Sequence, residues 1–549
     1  MEKRKFYYGT LLFGSLLMLS SCVDDNYDLD DIDTTTAIKF DNLVVPVNLE
    51  SIYLDQVLKV DDEDPSNPVI IFTDGQGKQR YAIKKGGEFK AEPVFLKLLE
   101  ATSYASVNSF PLPINGNQIQ EITTEYEYLI GAGKVDNSIV RIYKMGLMNP
   151  MEINLEFKYS SSNNIPQITN LVLEIPESFT AYYKGAEFTN GEVGVDIVNG
   201  ELDSPILVYA MDFGNGIEPS GEAGSKSLQF KGNIGIKSGT VNSSADGLMA
   251  SFSMSPFTAN EISGEINYEI ETPEFEGISL EDLPDFLREG ESSLIIQNPQ
   301  LYLNFGNPTT ADFYTSLIIE PIGNGGETLT FPMDGFSESV ILAADYSFLP
   351  YVNEYPGAMY LNNEEVTSQL PYILYGEGLP EYINFSLGTS YIRGDVLNLT
   401  LGDELNIGGK YTFFSPLAFE ASSRILYQKT ETDFFGDDME AVNVTNLELS
   451  AFPSTNLPFD LTLTVYPLNK EGNHIYSNGK EISAYGIVKA NANGSEILDI
   501  NLSTPFTGLD GVEYKVSAIF MDDEALSPDQ FIKLDHIRAK VTGEYVTKL

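Results

Sequence analysis

A chain of 549 residues, 42% hydrophobic and 20% charged, has the apolar material for several cores and is not a disordered tail. Its 80 acidic and 32 basic side chains give a net charge of −48, which repels phosphate backbones and excludes nucleic-acid-binding classes. A single Cys rules out an intrachain disulfide and Cys-based zinc sites, and two His leave imidazole catalysis little to draw on.

Residues 1–22 read MEKRKFYYGTLLFGSLLMLSSC. Lys3, Arg4 and Lys5 form a basic start, and Phe6 to Leu19 an apolar stretch too short for a permanent bilayer-spanning helix. Leu19-Ser20-Ser21-Cys22 has the form of a bacterial lipobox, in which the Cys sulfur takes diacylglycerol and the new amino terminus a further acyl chain such as palmitate. Cleavage before Cys22 removes one acidic and three basic residues and moves the net charge from −48 to −50. The next segment, VDDNYDLDDIDTTT, carries Asp24, Asp25, Asp28, Asp30, Asp31 and Asp33, a like-charge density that predicts an extended, solvated tether. Its alternating acids lack the Gly and Glu of a calcium loop.

A lipobox Cys followed at once by Asp24 and Asp25 resembles the surface-export signal of outer-membrane lipoproteins from Bacteroidota. The continuation DIDTTTAIKFDNLVVPVNLESIYLDQVLKVDDED is similar to the start of surface lipoproteins from the same phylum, and Asp33-Thr34-Thr35 fits their short O-glycosylation motif. The resemblance covers about the first 65 residues. It implies an outward-facing location on the outer membrane, held by lipid on Cys22, and implies no activity.

Downstream, period-two alternation is the commonest pattern. Met151, Ile153, Leu155, Phe157 and Tyr159 alternate with polar residues. So do Leu228–Ile236, Ile266–Ile270, Leu397–Leu401, Phe459–Val465 and Ile537–Val541. These predict an all-β protein of several antiparallel β-sandwiches, immunoglobulin-like or similar, in series with few short helices. Asp74-Gly75, Asn115-Gly116, Asn190-Gly191, Asn199-Gly200, Asn215-Gly216 and Asn324-Gly325 read as turns between strands. Short helices are expected from Ser279 through Leu287 and from Ser527-Pro528 through Phe531. Composition shifts divide the chain into a signal peptide (1–21), an acidic tether (22–38), a β-rich domain (39–150) and three β-sandwich domains (151–275, 276–404 with a short helix at its start, and 405–549). SPFTANEI at 255–262 and TPFTGLDG at 504–511 are alike, but too short to establish a duplication.

No GxSxG, HExxH or Walker A motif is present. His474, beside a turn, and His536 read as ordinary surface or strand-edge residues. Carboxylate pairs, as a glycoside hydrolase needs, can be drawn anywhere in so acidic a chain and single out nothing. Aromatic stacking on sugars must proceed without Trp, which is absent. The densest Tyr cluster, Tyr346, Tyr351, Tyr355, Tyr360, Tyr372 and Tyr375, is the candidate glycan contact, against the plainer reading that Tyr fills sheet faces and rims. The expected role is a non-enzymatic binding or structural module at the cell surface, without cofactor or metal, engaging a glycan or protein ligand and the membrane through Cys22. The alternatives are an accessory glycan-binding protein of a polysaccharide-uptake system and a carboxylate-dependent glycoside hydrolase.

Overall fold

The computed structural model describes residues 35–548, apart from 47–51, 61–66, 104–108, 160–164, 189–190, 243–246, 272–274, 289–291, 307–310, 324–325, 337, 362–363, 433–434, 436–438 and 440. Cys22, Asp24 and Asp25 lie outside the described residues. The chain is all-β, built of many antiparallel sheets with a few short helices such as Asp285–Arg288. The alternating runs fold as read. In Ile139–Tyr159, Met151, Ile153, Leu155 and Phe157 are buried while Glu152, Asn154 and Lys158 are exposed. One face of the pleat therefore meets an apolar layer and the other meets water.

The sheets pair into three sandwiches. In the first, Ile122–Ile130, Leu228–Val241, Ile168–Glu174 and Glu192–Val195 lie side by side. They face a sheet of Phe179–Tyr183, Ile206–Ile217, Ile139–Tyr159 and Phe257–Ile270. Tyr128 packs between them at 5.5 Å from the Phe230 ring and 5.1 Å from Phe257, and its hydroxyl donates to the Ser255 carbonyl at 3.0 Å. In the second, Ser339–Ala343, Gln300–Gly306, Gly408–Pro416, Gln79–Lys90 and Val69–Thr73 form one sheet. Leu329–Phe336, Asp312–Ile322, Tyr382–Leu387 and Ser390–Thr400 form the other, with Phe89, Phe305, Phe313 and Phe336 in contact between them. In the third, Thr35–Pro46, Phe531–Lys548, Val442–Thr455 and Leu498–Leu502 face Arg424–Glu431, Gly511–Ile519, Leu461–Leu468 and Ala484–Val488.

Backbone pairing also crosses the seams. Phe257–Ile270 continues into the second sandwich by pairing with Ser390–Thr400, from Glu261↔Thr400 to Ile270↔Ser390. The second and third join through Ala418–Phe419 with Glu524–Ala525, through the Tyr81 N–H on the Leu526 carbonyl at 3.0 Å, and through Arg80 Nη1 on the Ala525 carbonyl at 3.1 Å.

Several expectations need correction. The 39–150 segment does not stand as a unit. Its strand Thr35–Pro46 belongs to the third sandwich, Gln79–Lys90 to the second and Ile122–Ile130 to the first. The cut near 150 falls inside the strand Ile139–Tyr159. Asn149-Pro150 marks a register shift there between Gly146 and Met151, where Pro has no N–H to give the ladder. Gly408–Pro416 pairs within the second sandwich, so the change of sheet comes after 416. Ser527-Pro528 opens a single turn closed by the Gln530 N–H on the Ser527 carbonyl, and strand follows at Phe531. Asn215-Gly216 lies within the strand Ile206–Ile217 and does not join two strands. Asn199-Gly200 does turn the chain between Ile197–Val198 and Glu201–Leu202, both residues at positive φ (54° and 87°), as a type I′ turn requires. Gly232 has a different role. It lies opposite Tyr126, whose ring crosses the space a Cβ would need, 2.5 Å from the hydroxyl.

Candidate binding surface

The six tyrosines divide by environment. Residues 345–361 fold back over the outer face of the sheet holding Gln300–Gly306 and Gly408–Pro416. There Ala82, Tyr302, Ile341, Tyr355 and Phe414 form a small second core, with Tyr346, Tyr351, Leu349 and Val352 packed against it. Tyr355 is 1% exposed, lies 5.4 Å from the Tyr302 ring and shares a 2.8 Å hydrogen bond with Thr412 Oγ1. Tyr351 sits edge-on to Tyr302 and Phe414, with Lys84 Nζ 4.0 Å from its ring centre. Tyr346 donates to the Leu361 carbonyl at 2.9 Å. Burial raises the phenol pKa of all three. Tyr355 is thus removed as a glycan contact, and Tyr346 and Tyr351 have their rings committed to the loop's own packing. The physical reason is that a sheet with two apolar faces needs a cover on both, and this loop supplies the second.

Tyr355→Ala is expected to cost about 3–5 kcal/mol, as for other large aromatic truncations in a core, measured by denaturant unfolding. A cost below about 1 kcal/mol would show that the loop is not a core element.

The other three are open: Tyr360 at 47%, Tyr372 at 42% and Tyr375 at 36% exposure. Tyr372 and Tyr375 flank the end of the 3₁₀ turn Leu370–Leu374, whose Leu370, Ile373 and Leu374 are buried. Their backbone carbonyls accept from the Glu327 and Gly326 N–H groups at 2.9 and 2.5 Å, which ties the pair to the loop after the exposed Ile322. The two rings lie 5.5 Å apart at 76° to each other. Each offers a separate face to a sugar or an apolar side chain; together they do not make one flat platform.

Two clusters escaped the sequence reading. On the outer face at the first seam, the exposed Arg393 lies over two rings, Tyr391 at 4.8 Å and Tyr314 at 5.1 Å, while its Nε donates to Asn267 Oδ1 at 2.9 Å. Tyr314 and Tyr391 meet only because their strands pair; the one local signal was the Tyr-x-Arg spacing of residues 391–393. On the third sandwich, His474 stacks flat on Tyr466 at 4.7 Å and stands between two carboxylates. Nδ1 is 2.5 Å from Glu481 Oε1 and Nε2 is 3.2 Å from Glu513 Oε1. Glu513 is buried, with Thr430 donating to its second oxygen at 3.4 Å. His474 is a strand-edge residue, bridged to Leu468, and not a free surface one; its ring adds contacts between the 469–482 hairpin and the sheet. His474→Ala removes the ring that contacts Tyr466, Glu481 and Glu513, while Lys515 Nζ stays 3.9 Å from Glu513 Oε1, and is expected to cost about 1 kcal/mol, with new protease cleavage confined to residues 469–482. Unchanged cleavage would mean that the hairpin is held by other contacts.

Among the described residues no group of three His, Cys, Asp or Glu is placed to hold a metal ion, and no helix is long and apolar enough to cross a membrane. A void of about 10 Å³ between the sheets of the second sandwich, lined by Phe89, Phe305, Phe313, Thr315 and Ser390, has the size of one water. Its two hydroxyls bond each other at 2.7 Å.

No protein-family model matches the chain, and no curated protein is similar to it. Among solved structures it is similar to a Parabacteroides distasonis protein provisionally described as secreted, at 16% identity and TM-score 0.32, over 50% of this chain and 82% of that one. It is also similar to Broad Bean Stain Virus, at 9% identity and TM-score 0.15, over 53% and 90% of the two chains. A third similarity is to the infectious bursal disease virus VP2 subviral particle, at 8% identity and TM-score 0.13, over 90% and 87%. None of these carries an argument about function.

Proposed function

We propose that this chain is a lipid-anchored protein of the outer membrane that faces outward and serves as a non-enzymatic binding or structural module. The observation that carries the reading is where the amino terminus joins the body. Thr35 pairs with Lys548 at one end of the third sandwich. At the other end of the same strand, Phe531 pairs with Tyr53 just after the Leu526 contact that joins the second sandwich. Thr35 is therefore at the end of the last strand away from the contact with the second sandwich. Lipid on Cys22 would hold that end at the membrane and leave the rest outside.

The accessory glycan-binding reading has the exposed Tyr372 and Tyr375 in its favour. Mass spectrometry of Cys22 and protease treatment of intact cells test the location; an unmodified thiol, or full protection from protease, would overturn it. Glycan and host-protein arrays with the unlipidated chain from residue 23 test the binding role, since a start after Thr35 would cut into a paired strand. Specific retention that is lost in Tyr372→Ala/Tyr375→Ala supports a glycan contact there. Turnover of a polysaccharide would replace the binding role with an enzymatic one.

A further inference from the structure

We infer that the pairing of the first and last described strands is a mechanical clamp: tension on the anchor is carried in shear along Thr35–Pro46. The inference takes its biological meaning from anchoring at Cys22, but its test does not depend on it. Thr35–Pro46 runs antiparallel to Phe531–Lys548 through ten paired positions, from Thr35↔Lys548 to Pro46↔Arg538. Ile52–Tyr53 pairs with Ile532 and Phe531, at the other end of the last strand. The last strand is itself held on its other side by Val442–Thr455, paired from Val442↔Tyr545 to Thr455↔Ile532.

The direction of pull decides how such a ladder fails. Hydrogen bonds between antiparallel strands stand perpendicular to the strand axis. A force along the axis loads all of them together, whereas a force that peels one end breaks them singly. The anchor pulls at Thr35. The load, on the second and first sandwiches, acts at the opposite end of the same strand, where Tyr81 meets Leu526 and Ala418–Phe419 meets Glu524–Ala525. The line between those two points lies along the strand, so the ladder is sheared. The ladder has one irregularity, a shift of register between Phe40 and Leu43. The outer edge of Thr35–Pro46 carries Lys39, 79% exposed at its side chain, as expected of an edge strand kept from pairing with another chain.

The chain's one thiol supplies the handle. Unlipidated protein beginning at Cys22 can be pulled in an optical trap from that thiol against a second cysteine, either Ala223→Cys, at an exposed position of the first sandwich, or Lys548→Cys, opposite Thr35. With Lys548→Cys the ladder is peeled, and residues 35–53 should leave first at low force, lengthening the tether by roughly 120 Å: about 65 Å of freed chain at about 3.4 Å per residue, plus the roughly 60 Å by which Tyr53 stands farther than Thr35 from Lys548 along the last strand. With Ala223→Cys residues 35–53 already lie along the pull, so their release adds little length by itself and should need several-fold more force, or a larger step should come first as a sandwich opens while the clamp holds. Either result supports the clamp. Release of residues 35–53 as the first step, at equal force in both geometries, would overturn it while leaving the Cys22 anchor untouched.

Discussion

Truncation after Gln530 is expected to unfold the third sandwich outright. Phe531–Lys548 is the inner strand between Thr35–Pro46 and Val442–Thr455, and it contributes Ala539 and Val541, both fully buried, to a core with Val444, Leu447 and Leu502. Its loss strips two strands of a partner at once and opens that core to water. The cost would exceed the roughly 5–15 kcal/mol that holds a typical domain together. Limited proteolysis followed by mass spectrometry should find residues 442–519 cleaved while 122–270 stays protected, with a loss of thermal unfolding enthalpy to match. Deleting residues 23–46 instead removes an edge strand, and should lower stability without opening the sandwich. Equal protection of residues 442–519 in the truncated and full chains would refute the assignment of the last strand to the centre of its sheet.

Acidification from pH 7 is expected to stabilise the protein first and then to destabilise it. At neutral pH the net charge of −48 sets the compact state against its own repulsion, and that repulsion fades as the pH approaches the isoelectric point of about 4.1. Burial lifts Glu524 above the usual carboxylate range, so its ionisation also opposes folding and is relieved as the pH falls. Other carboxyls work in the opposite sense. Asp74 is held below the usual range by the Lys78 and Gln76 backbone N–H groups and by Arg80, Asp212 by Lys144 and the Gly214 N–H, and Asp460 by Lys489 and the Ala490 N–H. For an acid whose folded pKa is depressed, the stabilisation is complete above its unfolded value near 3.8 and is lost as the pH falls through the lower folded value. Melting temperature should therefore rise from pH 7 towards about 5 and drop steeply below about 3.8. Added salt should raise it at pH 7 and have little effect near pH 4–5. A melting temperature that falls steadily from pH 7 downward, with no rise, would show that net repulsion is not the leading electrostatic term.

How much of this could be read in advance depends on the distance over which each cause acts. The Met151–Tyr159 alternation named a half-buried strand correctly, because burial of every second side chain is written within nine residues. Asn199-Gly200 named its turn for the same reason, since the dihedral requirement sits on two adjacent residues. The tyrosine cluster misled because density along the chain says nothing about which surface will fold over it. Tyr346, Tyr351 and Tyr355 found Tyr302 and Phe414, and Tyr372 and Tyr375 found none of them. Arg393 between Tyr314 and Tyr391, and His474 between Glu481 and Glu513, combine residues from separate strands and left only a two-residue spacing as a trace.

Legible in the sequence alone were the all-β class, the strong negative charge, six of the longer strands and the lipobox at Cys22 from which the location is proposed. Each of these follows from composition or from patterns a few residues long. That residues 35–130 are shared among three sandwiches, that the first described strand closes on the last described one, and which tyrosines remain in water came from the packing of the folded chain. The reason is that a strand's alternation specifies which face is apolar but not its neighbour. Partner choice is settled by packing over the whole chain, where Thr35 and Lys548 are as close as adjacent residues in a hairpin.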